Sequence, residues 1–371
     1  MHVEPFSLAL ARPLATARGA ITEREGFVVR LSVDGTTGVG EATPLPGWTE
    51  SRSECEAALE QVADVLSADD TGEPTALLDD RGTLADAPAA RHAVASAALD
   101  ARARATSEPL YRVLVDGSTR TVESVPANAT VGDGTPDETA DAAAAAVTDG
   151  FETVKVKVGA RGVADDDARL AAVRERCPDV TLRADANGAW DSKTAERALA
   201  SFADHDVAYV EQPLAADATV DEQGRRDLRA HASLRDAGAD VGIALDESLA
   251  VGDDPVAAAL AADAADALIL KPMALGGPDR AAAAAREVRA AGVTPVVTTT
   301  VDGALARAGA VHAAATIPDV PACGLATADR LAADLIERDP APVSAGRVRV
   351  PDGAGAVGTT SWHQPMNGRR D

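Results

Sequence analysis

Lys155 and Lys157 stand two positions apart in an apolar run, TVKVKV, that reads as a strand. Alternate residues of a strand share a face, so both ammonium groups point the same way. Like charges on one face make each harder to keep charged. That lowers a lysine pKa toward neutrality and suits it to accept a proton. Further along, Arg183-Ala184-Asp185-Ala186-Asn187, Glu211-Gln212-Pro213, Asp246-Glu247-Ser248 and Lys271-Pro272 each close a short apolar run. Asp185, Glu211 and Asp246 are separated by 26 and 35 positions, each about one strand–helix unit. Three carboxylates on neighbouring strand ends converge and repel unless a cation sits among them. An all-oxygen set of that kind suits Mg²⁺, with Mn²⁺ as a substitute. The six histidines show no ligand spacing.

Composition sharpens the reading of the lysines. The 371 residues carry 59 acidic and 35 basic side chains, a net charge of −24. Only four of the basic residues are lysine: Lys155, Lys157, Lys193 and Lys271. A chain so acidic and so poor in lysine reads as adapted to high salt, where screening relieves carboxylate repulsion. Lysine that survives such a bias marks positions where arginine, which keeps its proton, cannot do the same chemistry. Lys193 follows Asp191-Ser192 at a helix start and reads as a surface residue.

The elements that must hold these groups alternate in type. Strands are expected at 125–130, 153–158, 180–185, 207–211, 241–246, 267–271, 294–299 and 321–325. Each is followed by a helical stretch, near 136–149, 163–176, 191–204, 223–237, 254–265, 278–291, 303–315 and 327–337. Eight such units predict a (β/α)₈ barrel, in which functional side chains sit at the C-terminal strand ends. No GxGxxG follows the first strand, which argues against a doubly wound open sheet. Residues 1–115 predict an α+β unit: strands at 3–10 and 27–34, a hairpin-type turn at Asp34-Gly35, a helix over 50–66, a loop over 68–88 and an Ala-rich helix over 89–105. The barrel is expected over 116–339. The tail, 340–371, contains a short β run at 348–350, is expected to return to the N-terminal unit, and reads as frayed at its end.

The acidic surface repels phosphate backbones and anionic headgroups, so neither nucleic acid nor membrane is an expected partner. No apolar run reaches the roughly 18 residues a membrane span needs. The first twenty residues lack the charge and long apolar stretch of a signal peptide. Cys55, Cys177 and Cys323 are odd in number and far apart, which suits reduced thiols and a cytoplasmic setting. Oligomeric state leaves no mark in the sequence.

KVK, DAN, EQP, DES and KP, in this order and spacing, resemble the enolase superfamily in its muconate-lactonizing subgroup. The resemblance covers nearly the whole chain and implies a capping domain followed by a barrel. That superfamily pairs a Lys or His base with Mg²⁺ behind an enediolate. The resemblance implies Lys157 as acid/base, Lys155 as its partner and Lys271 as the cation on the opposite face. It implies Asp185, Glu211 and Asp246 as Mg²⁺ ligands, with Asn187 and Arg183 beside them, and a small-molecule carboxylate as substrate.

Gly40-Glu41-Ala42-Thr43-Pro44-Leu45-Pro46-Gly47-Trp48 is similar to the GE-x-x-PLPGF segment of the o-succinylbenzoate synthase family, with Trp48 in place of the usual Phe. Relatives often carry a Ser-rich stretch after the seventh strand; here Thr298-Thr299-Thr300 keeps the hydroxyls, and which of them faces a substrate stays open. The implied reaction is dehydration of 2-succinyl-6-hydroxy-2,4-cyclohexadiene-1-carboxylate to 2-succinylbenzoate in menaquinone biosynthesis. Two alternatives stand beside it: a dipeptide epimerase or N-acylamino-acid racemase using both Lys157 and Lys271 as bases, and a metal-binding barrel without catalysis.

Overall fold

The computed structural model describes residues 1–16, 19–68, 84–115, 122–216, 227–237, 240–250 and 254–358. The chain begins with an antiparallel sheet ordered β1 (His2–Thr16), β2 (Gly19–Val33), β3 (Thr36–Ala42). Asp34 and Gly35 take positive φ, 49° and 78°, between β2 and β3, the tight turn their types imply. Strand β3, TTGVGEA, was absent from the expected elements because its glycines weaken the β signal. Those glycines have a reason. A Cβ at Gly38 would lie 2.0 Å from the Ala97 carbonyl oxygen, and one at Gly40 would lie 2.0 Å from that of Ala93. Helix α2 (Pro88–Ala105) therefore lies directly on β3, and its alanines are the buried face. Helix α1 (Arg52–Ala68) brings Leu59 and Val62 to Phe27 and Leu31 in the same core. Most of the loop expected over 68–88 lies outside the described residues. A short helix, α3 (Leu110–Leu114), ends this unit.

The barrel follows. A short strand, β4 (Ser124–Pro126), leads into seven parallel strands: β5 (Asn128–Val131), β6 (Thr153–Lys157), β7 (Thr181–Asp185), β8 (Val207–Glu211), β9 (Gly242–Leu245), β10 (Ala267–Leu270) and β11 (Thr294–Val297), each paired with the next. The helices between them are α4 (Pro136–Thr148), α5 (Val163–Arg176), α6 (Ser192–Phe202), α7 (Arg229–Asp236), α8 (Pro255–Ala261), α9 (Pro272–Leu275) and α10 (Pro278–Ala290), with α11 (Ala304–Ala315) after β11. Residues 223–226 of the expected helix before β9 lie outside the described residues. Val154 and Val156 of β6 are fully buried under the helices, while Lys155 and Lys157 alternate to the barrel's inner face.

The eighth unit differs from expectation. Residues 321–325 form only isolated bridges, Cys323 with Ala127 and Gly324 with Thr298. They still close the sheet: Asn128 N donates to Cys323 O at 3.0 Å and Gly324 N to Val297 O at 2.9 Å. The helix expected over 327–337 is a single 3₁₀ turn, Ala328–Arg330. Beyond it the chain leaves the barrel to meet the cap. Ala332 N bonds Ala9 O at 2.9 Å, and Leu331, Leu335 and Ile336 are buried with Phe6 and Leu8. The apolar spacing that resembles a helix face is thus spent on β1.

The tail first makes β12 (Val343–Ser344) and β13 (Arg347–Arg349), the latter antiparallel to β4. It then reaches the N-terminal unit, where Gly355 exchanges backbone bonds with Glu108 and Leu110, at 2.9 and 3.1 Å. Among the described residues no helix is long and apolar enough to cross a membrane, and Cys55, Cys177 and Cys323 are free and buried.

Candidate active site

Alternation along the strands stacks the barrel interior in layers. On one side the interior is apolar over more than one layer, with Tyr209, Ala244, Ala267, Ile269 and Val296 in a single cluster. Level with Tyr209 stand Lys155 and Arg183, register partners on β6 and β7. One step toward the C-terminal strand ends stand Lys157, Asp185 and Glu211, again paired across the sheet, followed by Asp246 and Lys271 just beyond β9 and β10.

At this mouth the acids and lysines meet. Lys155 Nζ donates to both Glu211 oxygens at 2.8 and 2.9 Å and stands 2.9 Å from Asp185 Oδ2. Lys157 Nζ donates to Asp185 Oδ2 at 2.6 Å and to Asn187 Oδ1 at 2.7 Å. Lys271 Nζ lies 2.6 Å from each oxygen of Asp246. Its third neighbour comes from the cap: the Trp48 ring centroid is 3.2 Å away. Lys157 has a side-chain exposure of 38%, against 15% for Lys155, so Lys157 is the lysine of the pair that a ligand can reach.

Burial pushes Glu211 up to about 7, with Asp185 adding to the rise, and burial pushes Asp246 up to about 6 against the pull of Lys271. Asp185 goes the other way: burial opposes its charge, yet Lys155 and Lys157 outweigh it and hold the carboxyl low. The expected lowering of a lysine by its twin is overturned for Lys155. Burial opposes its charge, but Asp185 and Glu211 raise it well above the ordinary lysine value. The dominant partners lie on neighbouring strands rather than two residues away.

Two residues that carried no expected role support this centre. Gln212, with φ +42°, donates through Nε2 to Ser248 Oγ and Leu214 O at 2.8 Å each. Its Oε1 accepts from the amides of Asp246 and Ser248 at 3.0 and 3.1 Å, which fixes the backbone of Asp246. Glu247 accepts from Asn187 Nδ2 at 2.9 Å and adds a fourth carboxylate to the mouth. Both residues sit in the EQP and DES motifs, each directly after the acid that the motif sets at a strand end.

Other expected site residues are placed differently. Arg183 is in the layer below the carboxylates, buried, with its guanidinium 4.9 Å over the Tyr209 ring and Nη1 donating to Ala322 O at 2.7 Å. That contact ties β7 to the segment 321–325 that closes the sheet. Thr298 Oγ1 donates to Gly324 O at 2.9 Å, and Thr299 Oγ1 shares a 3.0 Å bond with Thr327. Thr300 bonds Asp302, so every hydroxyl of the three has a partner within the loop region. Lys193 is exposed, as expected.

As placed, no three His, Cys, Asp or Glu side chains among the described residues form a metal-holding group; the lysines bond the oxygens instead. The donor chemistry nevertheless fits a hard divalent cation. Four carboxylates face three ammonium groups, and all the acid donors are oxygen.

Fold and centre together define a capped barrel with acids and lysines at its strand ends. Residues 138–359 match the family described as enolase C-terminal domain-like, and residues 3–114 match the mandelate racemase/muconate lactonizing enzyme N-terminal domain. The chain belongs to the mandelate racemase/muconate lactonizing enzyme family of the enolase superfamily. An o-succinylbenzoate synthase from Thermobifida fusca is 40% identical over 60% of this chain and 65% of its own length. A hydrophobic dipeptide epimerase from Roseobacter litoralis is 34% identical over 58% of this chain and 62% of its own. Each of these two alignments thus spans less than two thirds of the relative. A dipeptide epimerase structure from Methylococcus capsulatus, complexed with Mg and the dipeptide L-Arg-D-Lys, superimposes with a TM-score of 0.79 at 28% identity, covering 96% of this chain and 98% of that one.

Proposed function

We propose that the chain is a Mg²⁺-dependent o-succinylbenzoate synthase, an enzyme that dehydrates 2-succinyl-6-hydroxy-2,4-cyclohexadiene-1-carboxylate to 2-succinylbenzoate. The observation that carries this reading is the Trp48 ring on Lys271. It brings the one capping segment similar to the synthases into contact with the lysine whose role separates lyase from racemase. The 40% identity to the Thermobifida fusca synthase supports the same choice.

Asp185, Glu211 and Asp246 would hold the cation. When bound, Mg²⁺ supplies positive charge at the substrate carboxylate. Lys157 Nζ takes the proton from the carbon bearing that carboxylate, and Asn187 and Asp185 hold the amine in place for it. Lys157 then returns the proton to the departing ring hydroxyl, which leaves as water, and the ring becomes aromatic. Lys155 stays charged between Asp185 and Glu211 and keeps those acids apart. Lys271 faces the electron-rich ring from the opposite side as a fixed cation.

A dipeptide epimerase or N-acylamino-acid racemase is the second reading. It is favoured by the Roseobacter litoralis and Methylococcus capsulatus relatives and by lysines on both sides of the centre. One assay separates the two: incubation with the cyclohexadiene carboxylate plus Mg²⁺, followed at the aromatic product absorbance, beside incubation with N-succinyl amino acids and dipeptides followed by polarimetry. Rapid aromatic product is the expected result. Efficient racemisation with no aromatic product would replace the first reading by the second.

A further inference from the structure

Two acidic residues bracket the segment that carries Trp48, and each closes the start of a different helix. Glu41, fully buried at the end of β3, accepts from Gly303 N at 2.7 Å and from Ala306 N at 2.9 Å. A carboxylate of the cap thereby satisfies the open amides at the start of barrel helix α11. Glu50 does the same for α2, accepting from Ala89 N and Ala90 N at 3.0 and 2.9 Å. Between them the turn is closed on itself: Trp48 N and Thr49 N both donate to Leu45 O at 2.9 Å, Leu45 N donates to Thr49 Oγ1 at 2.8 Å, and Gly47 takes φ +100°. A turn so closed moves as one piece, held at residues 43 and 44 on one side and by Glu50 on the other.

Those two residues are held by Arg24 of β2, which is 3% exposed. Its Nη2 donates to Thr43 O at 2.8 Å, its Nη1 to Pro44 O at 3.2 Å and its Nε to Val301 O at 3.2 Å. Val301 has φ +62°, a costly conformation for a β-branched residue that persists only where its surroundings enforce it. The Val301 loop is also the one that begins with Thr298–Thr300. One guanidinium therefore ties the Trp48 wall of the mouth to the threonine wall.

We infer that Arg24, seconded by Glu41, is a positioning residue that acts through residues 43–48 to seat Trp48 on Lys271. Its catalytic readout rests on the function proposed above; its optical readout does not. The experiment compares Arg24→Met and Arg24→Lys, each with and without Trp48→Phe, and takes Arg91→Met as reference. Arg91 is likewise buried and joins cap to barrel, donating to Gly276 O at 2.5 Å and pairing with Asp279 at 3.0 Å.

Acrylamide quenching of the Trp48 emission, taken as the difference between each protein and its Trp48→Phe counterpart, is expected to rise in Arg24→Met, to recover in part in Arg24→Lys, and to stay unchanged in Arg91→Met. The kcat/KM of Arg24→Met is expected to fall by up to about tenfold, no further than when the Trp48 ring itself is removed. Adding Trp48→Ala is expected to cost no more than the larger single loss. Unchanged quenching in a folded Arg24→Met protein, or losses that multiply, overturns the inference. If Arg24→Met does not fold, Glu41→Gln takes its place and the same outcomes decide. A quenching shift in a chain without dehydratase activity overturns the proposed function and leaves the inference standing.

Discussion

The Lys271 ammonium stands 3.2 Å from the centroid of the Trp48 ring and 2.6 Å from both oxygens of Asp246. A barrel residue is thus clamped between a barrel acid and an aromatic ring of the cap, which covers one side of it. A cation over an indole face is worth about 0.5–2 kcal/mol, most when both groups are desolvated. Trp48→Phe keeps a face and is expected to lower kcat/KM only a few-fold. Trp48→Ala removes it and is expected to cost about tenfold, with any racemisation of N-succinyl amino acids rising relative to dehydration. An unchanged ratio in Trp48→Ala would detach the ring from reaction choice.

Metal dependence follows from the excess of carboxylates at the mouth. Exhaustive chelation is expected to abolish turnover, and Mg²⁺ or Mn²⁺ to restore it. Asp185→Asn and Glu211→Gln are expected to cut kcat by orders of magnitude while far-UV circular dichroism stays that of the wild type. Calorimetric titration of Mg²⁺ into each variant checks binding apart from turnover. Full activity in the presence of excess chelator would remove the assignment.

Much of this was readable in the chain. Three of the four lysines in an acidic sequence marked two strand ends, and DAN, EQP and DES marked the ends between them, because barrel chemistry sits at fixed points of a repeating unit. What escaped depended on distant partners. Glycines hid β3 because the helix that needs them, α2, starts some fifty positions later. Leu331, Leu335 and Ile336 have a helix period yet serve β1, at the far end of the chain. The sense of the Lys155 shift was misread because its strongest partners, Asp185 and Glu211, are brought to it by strand register. Arg24 carries no local signal, since its partners are main-chain carbonyls at 43, 44 and 301.

Glu41 gives the fold a pH dependence of known sign. Burial, with Asp302 adding to it, pushes its carboxyl from an ordinary 4.5 up to about 7. Between those values the folded state binds more protons than the unfolded one, so this contribution to stability is full below about 4.5 and is lost as pH rises through about 7. The advantage of wild type over Glu41→Gln is expected to shrink from pH 5 to pH 8, by on the order of 1 kcal/mol per unit where the slope is steepest. Denaturant unfolding of both proteins across that range measures it. An advantage that grows with pH would contradict the upward shift of the buried Glu41 carboxyl.

Net charge of −24 predicts salt-dependent folding. At 0.01 M the Debye length is roughly 30 Å, so surface carboxylates repel across much of the molecule, whereas at 1 M it is roughly 3 Å. The melting temperature is expected to climb as KCl is raised toward molar concentrations. A flat or falling trend would show that the acidic surface is no adaptation to salt.

The half-exposed Lys157 and the buried Lys271 make the decisive test of reaction type. Lys157→Ala is expected to abolish dehydration, because Lys155 is pinned between Asp185 and Glu211 and is the less exposed of the two. For Lys271 the readings part. In a dehydratase one base suffices, so solvent deuterium enters a non-eliminable substrate analogue from the Lys157 side alone. Lys271→Arg then retains part of the activity, since a cation still faces the ring and Asp246, though with a bulkier head under Trp48. In a racemase both lysines exchange protons. Deuterium then enters both enantiomers of an N-succinyl amino acid, and Lys271→Arg stops one direction while sparing exchange in the other. Proton NMR of the exchanged position in wild type, Lys157→Ala and Lys271→Arg reads all of these at once. One-sided exchange with residual Lys271→Arg turnover is the expected pattern, and two-sided exchange in the wild type would assign Lys271 as a second base.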